Sequence, residues 1–181
     1  MPQPLVRVIT PIRIDKLTRI VQIRGVDTYV HWTVFAVAAL ILAGVGSRPV
    51  LSLVGMSCYL GLLLIHEVGH LIAAQRLGCK VLSIKLYPIF GFTEFETPWT
   101  RLDHCIIAWS GVLAQAVVAI PLVTWVSFFG FTHNGPINAV FAILGYYSLG
   151  VAIFNLLPFP PLDGATAWGL LPALWARRRA L

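Results

Sequence analysis

The sequence predicts an all-α polytopic membrane protein with about four transmembrane helices, a short membrane-associated β-hairpin and a fourth span broken by prolines. Three observations carry this fold class. Hydrophobic residues make up 58% of the 181 residues and charged residues only 11%, against about 25% charged in soluble domains. Mean hydropathy is +0.83. Apolar runs recur along the chain, with the charges gathered between them and at the ends, and a helix needs about 20 such residues to cross hydrocarbon. The length suits one compact unit, so residues 1–181 are expected to form a single membrane domain.

The elements follow in order. Residues 1–28 form a cytoplasmic or interfacial segment, with Arg7, Arg13, Lys16, Arg19 and Arg24 set among Val and Ile. Within it, residues 18–24 partly alternate and suit an interfacial strand. No apolar core precedes a small-residue cleavage site there, so no cleavable signal peptide is expected. A short first span covers roughly residues 31–45 and opens with Trp32, and a turn over 44–49 leads to a second span over about 50–77. Residues 78–103 change character: 82–87 alternate, 88–91 suit a turn, and 92–96 are extended again, which together read as a re-entrant hairpin. A third span runs from about 105 to 129. After a turn at 132–136 the fourth runs from about 137 to 157, where Pro158, Pro160 and Pro161 interrupt it by removing backbone donors. An apolar helix over 165–176 ends in Arg177, Arg178 and Arg179.

Charge fixes an orientation. Of thirteen Lys and Arg residues, five precede the first span, four lie between Arg76 and Arg101, three close the chain, and only Arg48 falls in an opposite loop. Positive-inside then places both termini and the hairpin in the cytoplasm, in the cell (inner) membrane. The net charge of +6 is not a stripe with interleaved aromatics, so the expected partners are the lipid bilayer and membrane proteins, with no nucleic acid. Cys58, Cys79 and Cys105 are odd in number and irregular in spacing, which suits small buried thiols better than a disulfide framework or a metal knuckle. The six tryptophans fit interface belts.

The chemistry lies in the second span, at His66-Glu67-Val68-Gly69-His70. Histidines four apart share one helix face, so both imidazoles can reach one Zn²⁺ while the intervening glutamate acts as base on a water. Ionisable residues at such depth are expensive and point to function. His70 lies six residues before Arg76, roughly 9 Å inside the cytoplasmic edge at 1.5 Å per residue. A catalytic zinc site usually has a third protein ligand. The candidate is Asp163, following the proline-broken stretch Asn155-Leu156-Leu157-Pro158-Phe159-Pro160-Pro161-Leu162. Taken alone Asp163 would read as a helix N-cap; beside a histidine pair in the same membrane, ligation is the better reading. Asn155 is placed to donate to an oxyanion or to substrate backbone, or else to stabilise the broken helix. His31, His104 and His133 are interfacial or in turns and read as solvated or capping residues.

With these residues in view, the chain resembles the site-2 protease family of intramembrane zinc metalloproteases. His66–His70 matches the family's H-E-x-G-H, Ala74 and Gly78 resemble its continuation, and Asn155, Pro158, Pro160, Asp163 and Gly164 match its N-x-x-P-x-P-x-x-D-G element. Residues 25–32 are similar to the approach to its first span, and the Gly91 segment sits where the family has a β element. The resemblance implies one Zn²⁺ per chain held by His66, His70 and Asp163, with Glu67 as general base and a transmembrane protein as substrate. One departure is Gly111-Val112-Leu113-Ala114-Gln115, where the family commonly carries a Gly-Pro-x-x-Asn-like element; Gln115 either replaces the amide or packs. No stretch reads as the family's PDZ or CBS domain, which leaves substrate choice to the spans, the hairpin or a regulatory membrane partner. The strand near residues 82–96 either pairs with unwound substrate or is structural. Two alternatives stand beside the protease: a catalytically silent zinc protein that sequesters substrates, and a metal transporter, for which the expected internal repeat is missing.

Overall fold

A computed structural model describes residues 17–44 and 48–179; expectations for residues 1–16, for the 45–47 part of the first turn and for Leu181 lie outside these described residues. The chain opens with a hairpin, β1 (Leu17–Ile23) and β2 (Val26–His31). Ile23 pairs with Val26, leaving the two-residue turn Arg24-Gly25 with φ of 49° and 84°. Two positive φ values are what a tight hairpin turn needs to match strand twist, and glycine supplies one without strain. Arg24 also anchors the hairpin, because its Nε donates to Gln75 Oε1 at 2.8 Å and its carbonyl accepts from Gln75 Nε2 at 3.2 Å.

Helix α1 (Trp32–Gly44) has 13 residues and α2 (Pro49–Arg76) has 28. At 1.5 Å per residue, α2 reaches about 42 Å and α1 only about 20 Å. Strands β3 (Val81–Leu86) and β4 (Gly91–Phe95) follow, and then α3 (Arg101–Phe129). The fourth span is composite: α4 (Gly135–Val140), a seven-residue π-helix (Phe141–Tyr147) and α5 (Ser148–Asn155) run on from one another. Helices α6 (Gly164–Ala167) and α7 (Leu170–Arg179) close the described chain.

Two features refine the expected architecture. Three helices of the described residues, rather than four, are long and apolar enough to cross a membrane: Pro49–Arg76, Arg101–Phe129 and Gly135–Asn155. The expected first span over about 31–45 corresponds to α1, whose 13 described residues are below that length. The class is also not purely helical. The 82–96 hairpin belongs to a four-stranded sheet of order β1-β2-β3-β4, in which β2 and β3 run parallel through the pairs Thr28↔Ile84 and Val30↔Leu86. Alternation explains β2: Val26, Thr28 and Val30 are buried and the residues between them are not. Val26 and Val30 pack with Leu62, Leu63 and Leu71 of α2 and with Ile84 and Leu86 of β3 in the main core.

Local chemistry sets the helix ends. Gly78, at φ +76°, follows α2 in the left-handed conformation usual just past a helix end. Thr100 and Asp103 form a capping box, with Thr100 Oγ1 accepting from Asp103 N and Asp103 Oδ2 accepting from Thr100 N, each at 3.1 Å. That cap starts α3 four residues before the expected Cys105. Asn134 Oδ1 caps α4 by accepting from Ile137 N at 3.1 Å. The three cysteines are free and buried.

Candidate metal centre

The i, i+4 spacing of His66 and His70 turns both rings from α2 toward α3 and the loop after α5. Gly69 lets the helices meet, since a Cβ there would lie 2.5 Å from Ser110 O and 2.8 Å from Ala114 Cβ. Gly111 does the same at the rings; a Cβ on it would lie 2.5 Å from His70 Nε2 and 2.8 Å from His66 Cε1. The broken stretch after α5 brings Asp163 back to the rings. Two tryptophans fix that return: Trp168 Nε1 donates to Leu156 O at 2.6 Å and Trp109 Nε1 to Ala167 O at 2.9 Å. Their rings meet edge to face at 5.6 Å. These two are structural clamps, a role that the interface-belt reading did not foresee.

His66 Nε2 and His70 Nε2 lie 3.0 Å apart, and Asp163 Oδ2 lies 3.0 Å from the first and 3.4 Å from the second. The three residues form a group able to hold a metal ion. The opposite ring nitrogens are tied down. His70 Nδ1 donates to Ile107 O at 2.7 Å, and His66 Nδ1 faces Gln115 Oε1 at 3.0 Å, so each ring in its neutral form turns a bare Nε2 inward. With neutral rings, three lone-pair donors to a metal converge on one point, and Asp163 Oδ2 is buried without a hydrogen-bond partner. Such a triangle repels itself unless a cation occupies its centre. Tetrahedral bonds of about 2.0 Å put ligand atoms about 3.3 Å apart, close to the observed spacing, so the donor set fits zinc. Asp163 stands at the start of α6 but its side chain makes no capping bond, which removes the N-cap reading.

Glu67, one residue on and therefore rotated by about 100°, faces β4. Its carboxylate accepts from Thr93 Oγ1 at 2.8 Å and lies against the Cα of Gly91, where any Cβ would overlap it. Glu67 is 2% exposed. His66, Glu67, His70, Thr93, Asn155 and Asp163 line one cavity of about 200 Å³. Asn155 makes no side-chain hydrogen bond among the described residues. Of the remaining histidines, His104 lies in the wall of this cavity, while His31 turns to Thr33, with Nδ1 2.6 Å from its Oγ1. Sequence reasoning missed Thr93 and left Gln115 without a role. The polar residue of an otherwise apolar α3 face was the signal for Gln115; an extended strand gives none for Thr93.

No protein-family model matches the chain. A Synechocystis protein named as a zinc metalloprotease is 34% identical over 110 residues, covering 55% of this chain and 26% of that protein. The zinc metalloprotease MJ0392 of Methanocaldococcus jannaschii is 28% identical over 155 residues, or 81% of this chain and 42% of that one. The chain therefore spans less than half the length of these curated relatives. Among solved structures, the site-2 protease from Methanocaldococcus jannaschii superposes with a TM-score of 0.62 at 23% identity, covering 89% of this chain and 72% of that chain. Three apolar helices, this fold and the metalloprotease relatives describe a membrane protein, similar in sequence to zinc metalloproteases and in fold to a site-2 protease.

Proposed function

We propose that this chain is an intramembrane zinc metalloprotease that hydrolyses peptide bonds in or near transmembrane segments of membrane proteins. The observation that carries the reading is the convergence of His66 Nε2, His70 Nε2 and Asp163 Oδ2 in the same small cavity as the buried carboxylate of Glu67. His66, His70 and Asp163 would hold one Zn²⁺, leaving the open position of a catalytic site. When bound, the ion makes water acidic enough to attack near neutral pH and polarises the scissile carbonyl. Glu67 takes the proton of the attacking water and delivers it to the leaving amine. Thr93 holds that carboxylate in place. Asn155 lines the cavity with its amide uncommitted, which suits donation to the developing oxyanion.

A transmembrane helix hides its peptide bonds, so the substrate must unwind before attack. Among the described residues β4 pairs only with β3, and Phe92, Thr93 and Phe95 of β4 line the cavity. An unwound segment can add to that edge as a further strand, gaining backbone affinity with few sequence demands. The charge distribution favours an inner-membrane orientation with both termini cytoplasmic.

The test is cleavage of a transmembrane model substrate by purified protein in detergent, comparing wild type with Glu67→Gln and measuring zinc in both. Cleavage that needs Glu67 while zinc stays near one per chain supports the protease. Full zinc with no cleavage in either protein overturns it in favour of sequestration, and transport of zinc across vesicles would favour the transporter.

A further inference from the structure

A second cavity, of about 590 Å³, adjoins the first. It lies between the β3–β4 turn, through Ile89 and Phe90, and the fourth span, through Tyr146, Gly150 and Phe154. Asn155, Val151 and Leu162 line both cavities, so the groove opens into the site at the residue proposed to meet the scissile bond. Its size falls in the range of about 300–1,000 Å³ usual for binding pockets, and its walls are mostly aliphatic and aromatic.

Gly150 gives the groove its depth. It sits within the regular helix α5, where glycine is less favourable than alanine, and its backbone needs no positive φ. No neighbour requires its missing side chain either, since a Cβ built there meets no heavy atom within 4 Å. Gly150 lines the groove, and a side chain there would project into open space beside it. The π-helix Phe141–Tyr147 lies at the deeper end and presents Tyr146 to the same space; such helices recur at functional sites.

We propose that this groove is a side-chain subsite of the protease, taking a large aliphatic or aromatic residue of the substrate, and that Gly150 sets the size it accepts. The inference rests on the protease reading. Gly150 precedes Asn155 by five helical residues, about 7.5 Å toward the bilayer interior. An extended chain rises about 3.3 Å per residue, so the accepted side chain is the second one from the scissile bond on the bilayer-interior side.

The experiment compares kcat/KM for two model transmembrane substrates that carry Phe or Ala at that position, counted from the bond mapped by mass spectrometry. Wild type prefers Phe, and Gly150→Leu lowers the Phe/Ala ratio by about tenfold or more, the scale on which an apolar pocket discriminates. Gly150→Ala gives a smaller fall in the same direction. An unchanged ratio, or an equal loss on both substrates, overturns the subsite. If wild type cuts neither substrate, the protease reading fails and the groove is judged by binding alone, with a photoreactive benzoylphenylalanine at the same substrate position. Crosslinks to Tyr146 or Phe154 that disappear in Gly150→Leu sustain the groove as a substrate site; crosslinks elsewhere, or to lipid only, refute it.

Discussion

Replacing Gln115 with leucine separates metal affinity from fold stability, because the side chain has one satisfied end and one orphaned end. Its Oε1 lies 3.0 Å from His66 Nδ1, while its Nε2 is buried with no partner, and the residue is 0% exposed. Gln115→Leu leaves the His66 Nδ1–H without an acceptor, which costs about 1–3 kcal/mol for a buried donor. Partners in the outer shell of a metal site typically contribute 10–100-fold in metal affinity, or about 1.4–2.8 kcal/mol, so the two estimates overlap. The same substitution removes the unsatisfied Nε2, which offsets part of the cost to the metal-free fold. Zinc affinity is therefore expected to fall 10–100-fold while the melting temperature of the metal-free protein moves little. Zinc competition against a chromophoric chelator in detergent, paired with thermal unfolding after chelation, reads both quantities. Gln115→Glu keeps an acceptor at Oε1 and is expected to bind zinc at least as tightly as wild type. A zinc affinity within twofold of wild type in Gln115→Leu would refute the claim that Gln115 orients a ligand.

Two further predictions use the same geometry. Thr93→Val removes the donor to Glu67 while keeping shape; a bond to a carboxylate contributes about 1.5–3 kcal/mol, so kcat should drop at least tenfold with KM and zinc content unchanged, and Thr93→Ser should restore most of it. Wild-type kcat in the valine variant would remove Thr93 from the machinery. Gly111→Ala places a methyl 2.5 Å from His70 Nε2, so the rings must shift; overpacking of this kind costs about 1–3 kcal/mol, and zinc should fall well below one per chain with the circular dichroism helix signal intact. Full zinc occupancy there would mean that the helices can part without cost to the site.

The candidate site was legible where chemistry follows chain order. His66, Glu67 and His70 lie within one turn and a half of one helix, so spacing alone places both imidazoles together and turns the carboxylate aside. Asp163 was legible because prolines leave few reasons for a lone acid behind an apolar span. The partners of these residues were not legible. Gln115, Ile107 and Thr93 meet them across 49, 37 and 26 residues of sequence, and no local pattern records such a distance. The sheet was missed for a related reason. Residues 26–31 alternate clearly, but an isolated alternating run beside a span reads equally well as an approach to it, and only pairing with β3 decides.

What the sequence determined by itself was the apolar solvent, the apolar runs and the candidate ligand set, because hydropathy, helical period and ligand type are properties of residues and their neighbours in the chain. The tertiary structure decided how the strand ahead of α1 pairs with β3 to join two hairpins into one sheet. It also decided which carbonyl meets each imidazole, which strand holds the Glu67 carboxylate, and that a groove runs from Asn155 past Gly150. Those outcomes depend on surfaces brought together from distant parts of the chain, where packing and hydrogen-bond satisfaction, rather than local preference, select the arrangement.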